Sequence, residues 1–584
     1  VAGLVGANEL RPPIDLVGAV VDLVSTGIGG PPVVGGAALE LGPIGPPEPS
    51  WLDEWLVGLV HEQSVAIEDR RRRGAWYTPR SVVEGLVRVA TDGWSEPPAL
   101  ITDRTCGGGA FLLAALDRLE AWGVGPATAA TMVAGMDLDP LAVQVSRWSI
   151  ELWLRRRLGP DTAAGLAAGL DIRLGDALAE LPPSWCAQVV VVGNPPFASP
   201  LKKGTIPPAA ARYRHARAEL LGPYADLAAI HLLNAVDTVA SGSTVALVQP
   251  QSVLASRDTE ALRLHLGSVA PLSAFWAARE LLFDAGVRAC APVLGVGAEE
   301  GPELALYSGP DVVSTGATKG ATGERRWSGL AADALGAPPL GSLSTLRLGE
   351  LCTATAGFRD EFYAMVGACR QAEPSERSGP LEAGVARVVT VGSVDPLVVG
   401  WGTEPTRFGG TAWSHPVIDR DQLPPKVVRW YDRLRRPKVL LATQSKLLEP
   451  VIDHHGDLAP ATPVIAVLAA PGDLERVTAV LLAPPVALWA WRRWFGSALS
   501  VDALKLAAKQ VAELPLPTDS ERWAEAAELI ARRDQAAGGG QDAAQAWDLA
   551  VEVATIMTEA YGVGPEVLGW WKTRLKPRPA PVDG

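Results

Sequence analysis

The tetrapeptide Asn194-Pro195-Pro196-Phe197 follows an apolar run at 188–192, and its residue types suit one particular chemical task. An sp² amine is a poor nucleophile because its lone pair is delocalised into the ring that carries it. The Asn194 side-chain oxygen and the Pro195 carbonyl can each accept one amine hydrogen, which favours a pyramidal nitrogen with its lone pair turned outward. Two consecutive prolines, Pro195 and Pro196, hold those acceptors with little freedom, so little reorganisation accompanies reaction. Phe197 offers a flat face for a base taken out of its stack. An Asn-Pro-Pro turn that merely ends a strand is the plainer alternative.

Other polar groups stand at equivalent places upstream. The segment Asp103-Arg104-Thr105-Cys106-Gly107-Gly108-Gly109-Ala110-Phe111 follows a short apolar run and opens a helical one. Three successive glycines let a backbone turn sharply and approach a ligand closely. A tight connection without a ligand would use the same residues. The next run ends at Asp137-Leu138-Asp139-Pro140, where an acid could accept both hydroxyls of a ribose. Capping of the following helix by Asp139 is compatible with that role for its neighbour. A third run leads into Gly175-Asp176-Ala177, where a carboxylate could accept from an exocyclic adenine amine. All four sites lie at the ends of runs that read as strands, where doubly wound sheets place their ligands.

The elements that must carry these groups alternate. Short β-rich runs at 99–102, 132–136, 171–174, 188–192, 244–249 and 292–296 are separated by helical stretches at 111–122, 140–158, 226–239 and 258–266. Apolar strands between helices predict a mostly parallel sheet covered on both faces. Residues 1–50 are rich in Gly and Pro and read as an irregular arm. Helical spacing of Trp55, Leu59 and Val60 predicts a helix within 51–73, ending in Arg70 to Arg73. Thr78-Pro79 reads as an N-cap followed by Pro at the first helical position, with the helix running to Thr91. The small, polar segment 314–323 reads as a surface loop. Beyond about 345 the texture is turn-punctuated, and 520–560 reads as helical and rich in Ala and Glu.

Composition bounds the function classes. A chain of 584 residues needs more than one core. A formal net charge of -13 argues against a surface that embraces nucleic acid everywhere, but a local basic cleft remains compatible with it. The five cysteines form no CxxC pair, so no metal site is expected, and their odd count suits a reducing compartment. No run reads as a signal peptide or a membrane span, and the expected location is the cytoplasm. No GxxxxGK[ST] arrangement is present, which argues against a nucleotide-hydrolysing phosphate loop.

With these motifs in order, the chain resembles the gamma-group N6-adenine DNA methyltransferases, the TaqI-like enzymes. The resemblance rests on Gly74 to Pro79, the 103–111 loop, Asp137, Asp176 and Asn194 to Phe197, and covers about 74–300. It implies a doubly wound, Rossmann-like class I S-adenosylmethionine-dependent methyltransferase domain plus a C-terminal mixed α/β target-recognition domain. The implied cofactor is S-adenosyl-L-methionine. Its implied contacts are Tyr77, Thr78, Pro79, Asp103, Cys106, Gly107, Gly109, Phe111, Asp137, Leu138, Asp176, Ala177 and Asn194, with Asn194 to Phe197 as the catalytic group. Tyr224 to Asp226, 245–251 and Phe283 to Val287 resemble later catalytic-domain motifs. Arg104-Thr105 stands where the family usually has Pro-Ala, and Gly108 where Ser is common; Arg104 near the cofactor could weaken or redirect binding.

The implied reaction is methyl transfer to adenine N6 in duplex DNA, by base flipping and direct in-line displacement, in a restriction-modification or phage-defence system. The expected domains are 1–73, an arm and helix; 74–310, catalytic; 311–344, connecting; 345–520, target recognition; and 521–584, a helical segment with a basic tail. Lys426, Arg429, Arg433, Arg435, Arg436 and Lys438 are the expected phosphate contacts, a solvated helix face being the alternative. Double-stranded DNA is the expected partner, with a separate nuclease or other defence subunit left open and a monomer favoured. An enzyme acting on RNA bases or a protein glutamine, and a DNA-binding subunit with reduced turnover, are the competing readings. A fused nuclease is not expected, since only about seventy residues precede Gly74.

Overall fold

A computed structural model of the chain describes residues 13–27, 31–35, 53–65, 76, 78–198, 206–282, 287–319, 327–357, 359–378, 381–496, 503–536 and 543–577. The chain divides into two compact units, Val1–Gly336 and Ala337–Gly584. Among the described residues no helix is long and apolar enough to cross a membrane.

In the first unit, helices α1 (Pro13–Gly27), α2 (Trp55–Ser64) and α3 (Arg80–Thr91) precede an alternating series. It runs β1 (Ile101–Asp103), α4 (Ala110–Ala121), α5 (Pro126–Thr131), β2 (Val133–Asp137), α6 (Pro140–Leu158), α7 (Pro160–Ala167), β3 (Asp171–Leu174) and β4 (Val190–Gly193). After it come α8 (Pro208–Ala216), α9 (Leu227–Thr238), β5 (Thr244–Leu247), β6 (Gln249–Pro250), α10 (Glu260–Val269), β7 (Leu272–Ala277), β8 (Ala289–Gly295), β9 (Glu303–Ser308), β10 (Val313–Lys319) and α11 (Trp327–Ala334).

The sheet order is β10-β9-β7-β8-β5-β4-β1-β2-β3, with β6 on β8. From β3 to β5 every ladder is parallel, with Ile101 beside both Val133 and Val190. β8 is antiparallel to β5 and β7, so the sheet is parallel through the motif-bearing strands and mixed beyond them. This is the doubly wound α/β class expected from the alternation. Ile101 of β1 and Val190 and Val192 of β4, all fully inaccessible, lie in one core with Leu86, Leu112, Leu116 and Trp153 from the flanking helices.

Local chemistry sets the element boundaries. Asp139 caps α6 by accepting from Leu141 N at 2.9 Å, Pro140 takes the first helical position, and Gly159 at φ +80° ends it. Helix α3 begins one residue later than expected. Pro79 is its N-cap, and the Thr78 hydroxyl is engaged elsewhere.

Two expectations for irregular structure are corrected. Residues 13–27 form α1, whose Leu16, Val17, Val20, Val21 and Val24 pack with Val145 and Leu152 of α6. Most of the expected loop at 314–323 is β10, paired antiparallel with β9 through Lys319. The ladder satisfies its backbone, so its small polar side chains do not prevent a strand.

The second unit contains two four-stranded sheets. One has the order β11-β22-β19-β20 and is antiparallel, with β11 at Cys352–Ala356, β19 at Lys438–Ala442, β20 at Glu449–Asp453 and β22 at Ile465–Ala469. The other joins β12 (Cys369–Gln371), β18 (Pro416–Asp419), β13 (Val385–Val389) and β21 (Leu458–Pro460). Short hairpins β14 (Val394–Asp395) to β15 (Val398–Val399) and β16 (Thr406–Phe408) to β17 (Thr411–Trp413) complete the strands. Helices at Leu474–Leu482, Ser520–Ala536 and Ala543–Ala560 share a core with Val439, Ile465 and Val467. Residues on both sides of position 520 therefore belong to one core.

Candidate active site

The ends of β1 to β4 and the helices before β1 enclose a cavity of about 630 Å³. Cys106, Gly107, Gly108 and Phe111 line it from the glycine loop, Asp137, Leu138 and Asp139 from the end of β2, Gly175, Asp176 and Ala177 from the end of β3, and Asn194 and Pro196 from the end of β4. Thr78, Trp76 and Asp103 complete the expected wall. Doubly wound sheets bind ligands at this edge because the crossovers leave their widest crevice there.

Backbone donors shape the carboxylates. Asp137 Oδ2 accepts from Gly107 N and Oδ1 from Asp139 N, both at 2.9 Å. One acid therefore ties the glycine loop to the start of α6. Burial raises the Asp137 pKa, and these bonds oppose the shift. Asp176 Oδ1 accepts from Leu178 N at 3.0 Å. Asp103 is buried and accepts from Thr105 N at 3.0 Å; burial, aided by the nearby Asp137 charge, pushes its pKa up to about 7.

The glycines have distinct duties. Gly107 (φ +51°) and Gly109 (φ +86°) occupy the left-handed region, while a Cβ on Gly108 would lie 2.6 Å from the Gly58 Cα of α2. A Cβ on Gly109 would meet Ser146 of α6 at 3.2 Å, so this glycine is a packing residue outside the cavity lining. Pro79, Pro195 and Phe197 also stand outside the lining, and Phe197 packs against the sheet core.

Asn194 has an asymmetric environment. Its Nδ2 donates to the Trp76 carbonyl and to Thr78 Oγ1, both at 2.9 Å. Its Oδ1 is buried and has no hydrogen-bond partner among the described residues. A carbonyl can only accept, so the Trp76 contact fixes which end of the amide faces which way. The chain past Phe197 is held by Asp226, whose Oδ1 accepts from Ala198 N at 3.3 Å and caps α9 through Ala228 N at 3.0 Å. Burial pushes Asp226 up to about 7. Tyr224, two residues earlier, is exposed.

Several cavity residues were not anticipated as site residues. Gly58, His61 and Glu62 enter from α2, and His231 and Leu227 from α9. Helical spacing announces the helices but not which turn meets the loop. Arg104, noted above as a departure, also lines the cavity. Its guanidinium is tied down, with Nη1 donating to Thr238 Oγ1 at 2.6 Å and Nη2 to the Trp185 carbonyl at 3.1 Å. Burial lowers its pKa to about 10. Burial, reinforced by the Arg104 charge, lowers that of His231 to about 4. Tyr77 and the 283–286 part of the late motif lie outside the described residues.

The expected phosphate contacts in the second unit divide. Arg429, Arg433 and Arg436 are exposed on and just after the helix Pro425–Leu434. Lys426 is exposed and paired with Asp360 at 2.5 Å. Arg435 donates to the Val385 carbonyl at 2.5 Å. Lys438 corrects the expectation: it is fully buried in β19 and paired with Asp453 of β20. Every residue of β19 is buried, so both faces of the strand are covered and Lys438 cannot reach a phosphate.

A glycine loop, two acids and an Asn-Pro-Pro turn thus stand at successive strand ends of a doubly wound sheet and line one cavity. Residues 56–267 match the family model described as N-6 DNA Methylase, and that span carries the glycine loop, both acids and Asn194. No curated protein matches the chain significantly. Among solved structures, the Type IIL restriction-modification enzyme MmeI in complex with DNA is similar at 11% identity and a TM-score of 0.58, over 89% of this chain and 80% of that one. The DrdV-DNA complex matches at 13% identity and 0.46, over 82% and 59%. The type IIG restriction endonuclease BpuSI matches at 12% and 0.41, over 96% and 76%. At these identities the MmeI likeness concerns the fold alone.

Proposed function

We propose that the chain is a site-specific DNA methyltransferase that transfers a methyl group from S-adenosylmethionine to adenine N6, as the modification component of a restriction-modification or phage-defence system. The observation that carries this reading is the buried, unpartnered Asn194 Oδ1 at the cavity wall. Leaving a buried acceptor unsatisfied costs about 1–3 kcal/mol, and an amine hydrogen from a substrate would recover it. The family match over 56–267 supports the same reading.

The residues present fit the cofactor. The Gly107 to Gly109 turn leaves room for a close approach, and Asp137 retains unused lone pairs for ribose hydroxyls. Asp176 offers an acceptor to an adenine amine. When bound, S-adenosylmethionine supplies the electrophilic sulfonium methyl. Asn194 Oδ1 would draw one amine hydrogen of the target base and orient the nitrogen lone pair. Pro195 and Pro196 keep that acceptor stationary, and Asp226 anchors the chain beyond them. The base would reach the cavity only after leaving the duplex. Arg429, Arg433 and Arg436 would meet phosphates, with the second unit as the target-recognition module.

A tritium-transfer assay with duplex DNA, RNA and a release-factor-like protein as acceptors tests the reading. Label in adenine N6 of DNA is expected. Label only in RNA or protein would refute DNA as the substrate. Asn194→Ala should abolish transfer while leaving cofactor binding within about 3-fold, because no charged or multiple hydrogen bond to the cofactor is lost.

A further inference from the structure

We propose that the second unit meets duplex DNA through one continuous face of two helices, Arg359–Ala368 and Pro425–Leu434, and that Tyr363 is the residue on it that contacts bases. The inference rests on the proposed methyltransferase reading and deepens it, since it names the surface and the side chain through which a recognition sequence would be read.

Each helix has a covered side and an open side. In Pro425–Leu434, Val427, Trp430, Tyr431 and Leu434 are buried, while Lys426, Arg429 and Arg433 are exposed. Spacings of three and four place those three cations in one stripe. In Arg359–Ala368, Met365 and Ala368 are buried, and Asp360, Tyr363 and Gly367 form the exposed stripe at the same spacing. The two stripes join where Lys426 Nζ pairs with Asp360 Oδ2 at 2.5 Å. Tyr363 thus lies about one turn from the junction on one helix, and Arg429 about one turn from it on the other.

This face is basic although the chain as a whole carries -13. Its Asp360 is matched by Lys426, and Asp432, the exposed acid of the arginine-bearing helix, is matched by Arg420 at 2.7 Å. Arg429 and Arg433 have no ion-pair partner among the described residues. Arginines so placed can hold a duplex by its phosphates, but phosphate contacts carry no sequence information. A group that touches bases must supply it.

A single exposed ring means little by itself; the place of Tyr363 on this face is what singles it out. Its ring offers a flat apolar surface and its hydroxyl both donates and accepts, so it can meet a base without adding a charge. Tyr363 is 62% exposed yet braced. Its ring meets that of Phe362 edge to face with centroids 5.4 Å apart, and Phe362 meets Phe408 of β16 at 5.5 Å. The Gly409 turn of that hairpin closes on the same helix, where a Cβ would stand 2.5 Å from the Val366 side chain. A ring braced in this way has less rotamer freedom to lose on binding.

The test uses the full-length protein as wild type, Tyr363→Ala and Arg429→Ala, with thermal melts to confirm folding. Sequencing of DNA methylated by the wild type gives the recognised site. Fluorescence anisotropy across a salt series then measures binding to a duplex carrying that site and to one with the site scrambled. Tyr363→Ala is expected to weaken binding to the recognised duplex about 10- to 100-fold, the usual worth of contacts to one base pair. Its binding to the scrambled duplex and its salt slope should match the wild type, and DNA methylated by it should show a relaxed context at one position of the site. Arg429→Ala should weaken both duplexes alike and lower the slope by about 1. Unchanged affinity and context in Tyr363→Ala, or an equal loss on both duplexes, would overturn the base contact. An unchanged slope in Arg429→Ala would overturn the face itself. Wild type that methylates no DNA would instead refute the function on which the inference rests.

Discussion

Gly108 and Gly58 meet backbone to backbone: a Cβ on Gly108 would stand 2.6 Å from the Gly58 Cα. The glycine loop is thus closed from behind by α2, and the same contact brings His61 and Glu62 to the cavity wall. Gly108→Ala must push loop and helix apart, because the obstructing atoms are backbone. We expect a loss of about 1–3 kcal/mol in stability, the usual range for overpacking, together with weaker cofactor binding. Chemical denaturation and calorimetry measure the two effects, and a variant unchanged in both would show that the contact yields easily.

Asp137 accepts from two backbone N–H groups, one on each oxygen. Asn at this position can satisfy one of them and must point an N–H at the other. Asp137→Asn is therefore expected to lower cofactor affinity about 10- to 100-fold, the range for losing a hydrogen bond to a charged group. Calorimetry against the wild-type enzyme gives the value directly.

Asp226 is held near a pKa of about 7 by burial, against a usual value of 3.8. Its folded pKa is raised, so between about pH 4 and 7 the unfolded chain has released a proton that the folded one retains. In this window the group makes stability fall as pH rises, and above about pH 7 its contribution levels off. Asp226→Asn keeps an acceptor for Ala198 N and Ala228 N but has no charge to bury. Melting temperatures of variant and wild type should nearly coincide at pH 4 and diverge by pH 8, with the variant higher. A constant difference across the range would assign the effect to lost hydrogen bonding.

Lys438 and the exposed arginines make opposite predictions. Lys438→Met leaves Asp453 buried without its cation, although Gly456 N and Leu458 N still donate to it. The expected cost is about 3–5 kcal/mol in stability, with no change in the salt dependence of DNA binding by the folded protein. Replacing Arg429, Arg433 or Arg436 with Ala should leave stability nearly unchanged and reduce the slope of log K against log salt by about 1 each. Fluorescence anisotropy across a salt series separates the two classes.

Legibility followed the range of the interactions. Helix α6 was readable to the residue because Asp139, Pro140 and Gly159 are local signals. The four cavity-lining strand ends were readable because each couples an apolar run to a polar group a few residues on. Helix α1 was also signalled locally, by Leu16, Val17, Val20, Val21 and Val24 at helical spacing, but the Gly and Pro content of 1–50 as a whole hides that short period. The strand β10 was not, because its ladder with β9, rather than its own side chains, makes it a strand. Lys438 reads as part of a basic cluster in sequence, and only the covering of both faces of β19 shows that it is buried. The two tethers on Asn194 joined motifs whose order was visible but whose contact was not.

The unpartnered Asn194 oxygen also has a consequence for what the cavity refuses. An oxygen lone pair set against another oxygen lone pair repels it, so a keto oxygen in the place of the amine has no favourable approach to this acceptor. Guanine O6 and thymine O4 are such oxygens, whereas adenine and cytosine carry an amine at the matching position. Discrimination among bases would then begin at one side-chain atom, before any sequence is read in a groove.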